Sequence, residues 1–352
     1  MTNQINNQSN SLQHIFVVLG MARSGTSAIA SGLNALGVDF GQHLLQPDAT
    51  WNAKGFWEDT DIVYKINRNA LLVLQEEGMR IQPLDAHDEV KLAGLKQAAQ
   101  QLIRDRMQSL SQWGFKDPRT ARLLPFWQPI FAELQLQEHY MIAVRNPLAS
   151  AHSYQKVMGC DIEVGLLMWV MHLFNAIEGT HHKERLAVSY EIMLQQPREQ
   201  LHRIKTFFQL AEVPAEKIDR YANEFLDKKL RHYQHDQQAL LTHPAIAVVP
   251  ICVKMYALLQ AVTHDEMTFE SAQFYAEWQA IKQAFELQYP QYQFMDMLLR
   301  RQKQMERKLR TIHKSWPWKM MYPLHVLDDK LRARRRARLA KRLENTHLTH
   351  VT

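Results

Sequence analysis

The chain has 352 residues, enough to bury a substantial core and to form one large or two ordinary domains. A hydrophobic fraction of 46% excludes a chain disordered throughout, and the formal net charge of +6 comes largely from the last fifty residues, leaving the core close to neutral. Only Cys160 and Cys252 occur, with no CxxC, so neither a disulfide framework nor a cysteine zinc site is expected and a reducing interior fits best.

Residues 1–13 are polar, lack the basic and apolar regions of a signal peptide, and are expected to form a disordered lead-in. An apolar run from Ile15 to Leu19 then reads as a central strand that ends abruptly at Gly20. From about Ser24, Ile29, Leu33 and Leu36 fall at helical spacing, and Gly37 stops that helix. The intervening loop is Gly20-Met-Ala-Arg-Ser-Gly-Thr-Ser27. A strand, a glycine loop and a helix start together aim backbone N–H groups and the positive helix end at a phosphate. The loop nearly satisfies GxxxxGK[ST], but Thr26 stands where the lysine would reach outer phosphates, and Arg23 places the charge earlier. A hydrolysable triphosphate is the less natural ligand.

The next stretch, GVDFGQHLLQPDATWNAKGFWEDTDI, is turn-rich and too long for a plain connector, so it reads as a site-forming loop. Helices are predicted over 61–77 and 89–111. Short strands follow at 113–115, 140–144 and 186–189, leading into Lys116-Asp-Pro-Arg119, Arg145-Asn-Pro147 and Tyr190-Glu191. In an open α/β sheet the ligand crevice lies beyond the carboxyl ends of the strands, so these side chains should converge. Helices at 124–134, 147–157 and 164–178 suit parallel crossovers, and 197–210 closes the sheet. The apolar run 164–177 is too short to span a bilayer and contains His172 and Asn175, so it reads as a buried helix. Beyond Pro214, helices are predicted at 216–230, 247–262 and 271–289, with near-heptad apolar spacing over 295–312 and a basic tail.

In Arg145-Asn-Pro-Leu-Ala-Ser-Ala-His-Ser153 an arginine leaves a strand, Pro147 starts a helix, and Ser153 follows about two turns after the arginine. This RxPxxxxxS spacing and the RSGTS loop together resemble the sulfotransferases that use 3'-phosphoadenosine-5'-phosphosulfate (PAPS), especially the carbohydrate and bacterial branch. The resemblance covers roughly 15–210. It implies an α/β fold, a three-layer P-loop-type parallel sheet flanked by helices, spanning 14–213, with a helical extension over 214–312 and the basic tail over 313–352. It implies transfer of a sulfuryl group from PAPS to a hydroxyl or amine acceptor, a carbohydrate or glycan, by in-line displacement without metal, leaving adenosine 3',5'-bisphosphate.

By the same resemblance Arg23, Ser24, Gly25, Thr26 and Ser27 hold the 5'-phosphosulfate end, and Arg145 with Ser153 the 3'-phosphate. Tyr190 lies in a stretch similar to the family's YEDL and would sit near the adenine, although Ile192 replaces the usual aspartate and a tyrosine packed in the core explains it equally well. Arg23 and Lys116 would act as catalytic cations, Lys116 on the oxygen linking sulfuryl and phosphate; the structural alternative pairs Lys116 with Asp117 or Arg119. Glu58, in NAKGFWED, is the expected base, where similar enzymes place a glutamate. Its competitors are Asp59, Asp39 and His43, and its structural alternative is a cap on the helix starting near Asp61.

His181-His182 and His232 with His235 lack partners at metal-site spacing. Two other function classes remain open at this point. One is a P-loop kinase or NTPase with a degenerate loop; the other is a non-catalytic binding module on the same fold. Arg332 to Arg342, with leucines at multiples of four, suits an anionic membrane surface as well as a solvated arm, with no specific nucleic acid expected. The expected location is cytoplasmic, or peripheral on the inner face of the membrane.

Overall fold

Four short apolar segments form the centre of the molecule because each can be buried on both faces. The computed structural model of the chain describes residues 12–48, 52, 54–74, 86–226 and 237–348. Strands β1 (His14–Leu19), β2 (Gln112–Lys116), β3 (Gln137–Val144) and β4 (Glu184–Ser189) all pair in parallel, in the order β2-β1-β3-β4. Val18 is in register with Lys116 on one side and Met141 on the other, and Val144 is in register with Ser189. The chain therefore leaves β1 toward one edge and β3 toward the other. That makes the carboxyl end between β1 and β3 the topological switch point.

The helices are, in chain order, α1 (Thr26–Ala35), α2 (Arg68–Val73), α3 (Ala86–Met107), α4 (Leu124–Glu133), α5 (Pro147–Met158), α6 (Ile162–Gly179), α7 (Tyr190–Gln195), α8 (Pro197–Phe207) and α9 (Ala215–Arg220). They continue with α10 (Gln237–Thr242), α11 (Ile251–Thr263), α12 (Ala272–Lys314) and α13 (Trp316–Leu348). One face of the sheet, with Phe16, Val18, Met141, Ala143 and Val188, is covered by Ile29 and Leu33 of α1, Met193 of α7 and Leu201 of α8. On the β2 side, Phe115 packs at 5.2 Å from Trp127, which stacks at 5.8 Å on Phe131 of α4. Helices α5, α6 and α11 complete the third layer. Among the described residues α6 is the one helix long and apolar enough to cross a bilayer. Its Leu166, Leu167, Trp169, Val170 and Leu173 are all fully buried in this fold.

The chain divides into two compact units, Met1–Gln293 and Phe294–Thr352. The expected lead-in lies almost wholly outside the described residues, and the expected helices 61–77 and 216–230 run partly outside them.

Several boundaries differ from the sequence reading, each for a local reason. The helix expected from 61 opens as a π-helical turn, Ile62–Asn67, at whose end the buried Asn67 receives Trp127 Nε1 at 2.8 Å and donates to Asp117 Oδ2 and Thr120 Oγ1 at 3.0 Å. The helix expected from 216 likewise passes into a π turn, Tyr221–Phe225, and ends at an extended Leu226. The helix expected over 247–262 starts later, as α11 at Ile251, with Pro250 just before it and a separate turn, Pro244–Ala247, upstream. Conversely, 271–289 and the heptad-like segment belong to one helix, α12, which runs through Pro290. Phe285 stacks on Phe174 at 4.1 Å and lies 5.5 Å from Tyr292, so packing grips α12 on both sides of the proline and overrides its breaking tendency.

Helix α5, which carries Ser150 and Ser153, is packed directly against α6. A Cβ added to Gly165 of α6 would come 2.8 Å from the Ala151 Cα and 2.9 Å from its Cβ. Gly165→Ala should therefore lose about 1–2 kcal/mol net in urea unfolding, overpacking outweighing the better helix propensity of alanine.

Candidate active site

The carboxyl ends of the four strands each deliver a polar element to the same edge of the sheet. From β1 comes the loop 20–25. Gly20 has φ +139° and Gly25 φ +86°, and Arg23 also adopts the left-handed region at φ +75°. Gly25 is the N-cap of α1, and no side chain caps that helix, so its first N–H groups point out of the loop in the manner that binds anions.

The hydroxyls around this loop are occupied with structure. Ser24 is buried and its Oγ lies 3.2 Å from Ser150 Oγ, joining the loop to α5. Thr26 is buried with its methyl near Gly20. Ser27 Oγ donates to the Phe56 carbonyl at 3.0 Å and accepts from Asn52 Nδ2 at 3.0 Å, which ties the start of α1 to the long irregular segment. Charge comes from Arg23, whose Nε donates to Ser153 Oγ at 3.0 Å. Burial and then the nearby Arg145 charge hold its guanidinium below its ordinary pKa. Two guanidinium groups brought together this way repel one another, a repulsion that a nearby anion would relieve.

Arg145 leaves the end of β3. Its Nη1 donates to the Arg23 carbonyl at 2.7 Å, its carbonyl accepts from Trp169 Nε1 at 2.9 Å, and its guanidinium lies 4.7 Å from the centre of the Tyr190 ring. Asn146 then caps α5 by accepting from the Ala149 N–H at 3.1 Å, which fixes the direction in which Ser150 and Ser153 project. Glu191 accepts from the Asn146 N–H at 3.2 Å and from Ser189 Oγ at 3.3 Å, clipping the end of β4 to the end of β3. Tyr190 thus packs against Arg145 and over Gly25. A Cβ at Gly25 would come 2.2 Å from Tyr190 Cδ2.

β2 ends in Lys116, almost fully buried, whose Nζ donates to Glu58 Oε1. Glu58 is buried too, and Arg119 Nη2 approaches its other oxygen at 3.9 Å. Desolvation pushes the Glu58 carboxyl above the ordinary carboxylate range, with Lys116 pulling the opposite way. Asp117 is taken up by the Arg119 N–H and Nε, both at 2.9 Å. The alternative pairing of Lys116 with Asp117 or Arg119 is therefore corrected: its partner is Glu58, 58 residues earlier.

The irregular segment that carries Glu58 is held as a narrow antiparallel bridge, with Leu45 N–H donating to the Glu58 carbonyl and Thr60 N–H to the His43 carbonyl, each at 2.8 Å. The helix cap is Asp59 and not Glu58. Asp59 Oδ1 accepts from the N–H groups of Asp61 at 2.8 Å and Ile62 at 3.2 Å, and Arg106 Nε takes its other oxygen at 2.8 Å. Asp39 folds back on the Gly41 N–H, and His43 is exposed. Of the four candidates for a base, Glu58 is the one held against a buried cation at a strand end. Among the described residues no three His, Cys, Asp or Glu side chains gather as metal ligands would; His232 and His235 lie outside them.

The sequence reading missed Asn67, which fixes Asp117, and Ser150, which joins the loop after β1 to α5; Glu191 it placed at a strand end, where it is found bound to the Asn146 N–H. Only the Asn146 cap carried a readable signal, the Asn-Pro at a helix start.

No protein-family model matches the chain, and no curated protein matches it significantly. Among solved structures it is similar to the "Sulfotransferase Domain from the Synechococcus PCC 7002 Olefin Synthase", at 15% identity and a TM-score of 0.42, covering 73% of this chain and 98% of that one. A second similar structure is the "Sulfotransferase Domain from the Curacin Biosynthetic Pathway", at 15% identity and a TM-score of 0.37, covering 67% and 82%.

Gly25→Ala combines an unfavourable φ with a collision against Tyr190, so the ring must leave Arg145 for the side chain to fit. We expect the unfolding free energy measured in urea to fall by about 1–3 kcal/mol; an unchanged value would show that the ring can leave the glycine at no cost.

Proposed function

We propose that the chain is a PAPS-dependent sulfotransferase acting on a hydroxyl or amine acceptor, a carbohydrate or glycan by the resemblance of its loop. The observation that carries this reading is the pair of arginines, from the ends of adjacent strands, beside an uncapped helix start. Arg23 and the first N–H groups of α1 suit a 5'-phosphosulfate, while Arg145 and Ser153 suit a 3'-phosphate. Thr26, in the place of the P-loop lysine and buried, leaves no side-chain cation at that position for a triphosphate tail. The absence of a Cβ at Gly25 lets the Tyr190 ring pack directly on the loop beside Arg145.

PAPS, when bound, supplies the sulfuryl group, whose bond to the 5'-phosphate oxygen breaks as the acceptor oxygen bonds to sulfur. Glu58 accepts the acceptor's proton. Its burial raises its basicity toward that task. Lys116 supplies a fixed positive charge in a water-poor place, where it best offsets charge developing on the leaving phosphate oxygen. Arg119 approaches Glu58 and pairs with Asp117, which holds the carboxylate in place.

Adenosine 3',5'-bisphosphate should raise the melting temperature without added metal, and more than ATP with magnesium does. The reverse order would favour a degenerate NTPase. Arg145→Ala should weaken binding of the 3',5'-bisphosphate much more than binding of the analogue lacking the 3'-phosphate; equal losses would make Arg145 purely structural.

Turnover should rise with pH through the Glu58 pKa, because only the carboxylate accepts a proton, and this limb should lie above the ordinary carboxylate range. Lys116→Met removes the influence that lowers that pKa, so besides slowing the reaction it should move the limb to higher pH. Glu58→Gln should abolish the limb and lower turnover about a hundredfold with bisphosphate affinity nearly unchanged. A limb that survives in this variant belongs to another group.

A further inference from the structure

The unit Phe294–Thr352 carries 16 Lys and Arg against five Asp and Glu, a net of +11, and since the whole chain sums to +6 the remaining residues carry −5. The basic character is thus confined to one unit of a chain that is otherwise acidic. This unit also displays an apolar surface. In α12, Phe294, Leu298, Met305, Leu309 and Ile312 are spaced by 4, 7, 4 and 3 residues, which places them on one helix face. In the first half of α13, Trp316, Met320, Leu324, Leu327 and Leu331 do the same with spacings of 4, 4, 3 and 4, and Arg334 follows in line with them. All ten apolar residues are between 47% and 73% exposed. Arg300, Arg307, Arg310 and Lys314 lie on the opposite side of α12, while Arg301 and Lys308 border the stripe.

We propose that residues 294–348 are an interfacial anchor that lies in the plane of an anionic lipid bilayer, its apolar stripes in the acyl boundary and its cations at the headgroups. An in-plane helix needs this combination of an apolar face, a cationic face and low overall hydrophobicity. Trp316 at the start of α13 and Tyr322 a turn and a half later are of the residue types favoured at that depth. A second copy of this chain is the weaker occupant. A helix pair closed along these seams would set Arg301 and Lys308, and a net of +11, against the same charges, where paired coiled coils place opposite ones. A polyanion such as nucleic acid would engage the cations but leave the apolar stripes without a partner. The proposal is independent of sulfuryl transfer.

The test is co-sedimentation of the full chain with vesicles of phosphatidylcholine alone and of phosphatidylcholine mixed with phosphatidylglycerol. We expect partition at least about tenfold stronger into the mixed vesicles, weakened by salt. The variant Leu309→Ser, Trp316→Ser, Leu327→Ser keeps the charge and should lose about tenfold or more of that partition. A second variant, Lys330→Gln, Arg334→Gln, Arg335→Gln, should lose the preference for the anionic vesicles, with helicity of both checked by circular dichroism. Equal pelleting with both vesicles by the unaltered protein would overturn the proposal, as would a serine variant that partitions like it. So would an oligomer that the serine variant dissociates, with no vesicle binding; the stripes would then face a second copy. Duplex DNA binding that survives the serine substitutions, again without vesicle binding, would make the unit a polyanion arm.

Discussion

Arg145 is the residue on which the geometry of the phosphate side depends. Through one guanidinium and one carbonyl it joins the loop after β1, the ring that follows β4, and Trp169 of α6. A parallel sheet fixes where its strands end but not how the loops beyond those ends are arranged. Here the arrangement comes from Arg145 holding the Arg23 carbonyl while Glu191 holds the Asn146 N–H next to it. The Arg23 guanidinium meanwhile bonds Ser153 of α5, which brings two like charges together and partly buries them, at a cost that lowers the pKa of Arg23.

The Lys116–Glu58 pair makes the opposite case. A buried ion pair is weak evidence for stability, since desolvating both ions offsets their attraction. An apolar pair would have filled the end of β2 at no electrostatic cost. The proposed chemistry would put this cost to use, because the same burial that penalises the carboxylate raises its basicity, and the same lysine that steadies it is a fixed cation.

How much of this was legible in the sequence follows from the range of each interaction. The four strands, the glycine loop and the Asn-Pro cap are written in a few consecutive residues, and all four strands were found within a few residues at each end. The π turns were not, since nothing in IVYKIN distinguishes a wide turn from an ordinary one until Asn67 meets Trp127 and Asp117. Pro290 misled for the same reason: its local tendency is to stop a helix, and aromatic packing on Phe174 decided otherwise. Between Asp59 and Glu58, adjacent carboxylates before a helix, the sequence offered no choice of roles. The choice was made by Arg106 and Lys116, each about fifty residues away in the chain.

These long-range partners also connect the two halves of the site. Ser27, one residue into α1, holds the Phe56 carbonyl two residues before Glu58. Glu58 holds Lys116, Arg119 spans Glu58 and Asp117, and Asp117 rests on Asn67, which rests on Trp127 in the core. Glu58 is therefore tied to the loop after β1 through Phe56 and Ser27, and to the core through Lys116, Arg119, Asp117 and Asn67. The segment that follows α1 brings the Phe56 carbonyl and Glu58 in only two residues apart, so one short stretch both receives Ser27 of the first helix and places a carboxylate at the end of β2, the next strand in the chain.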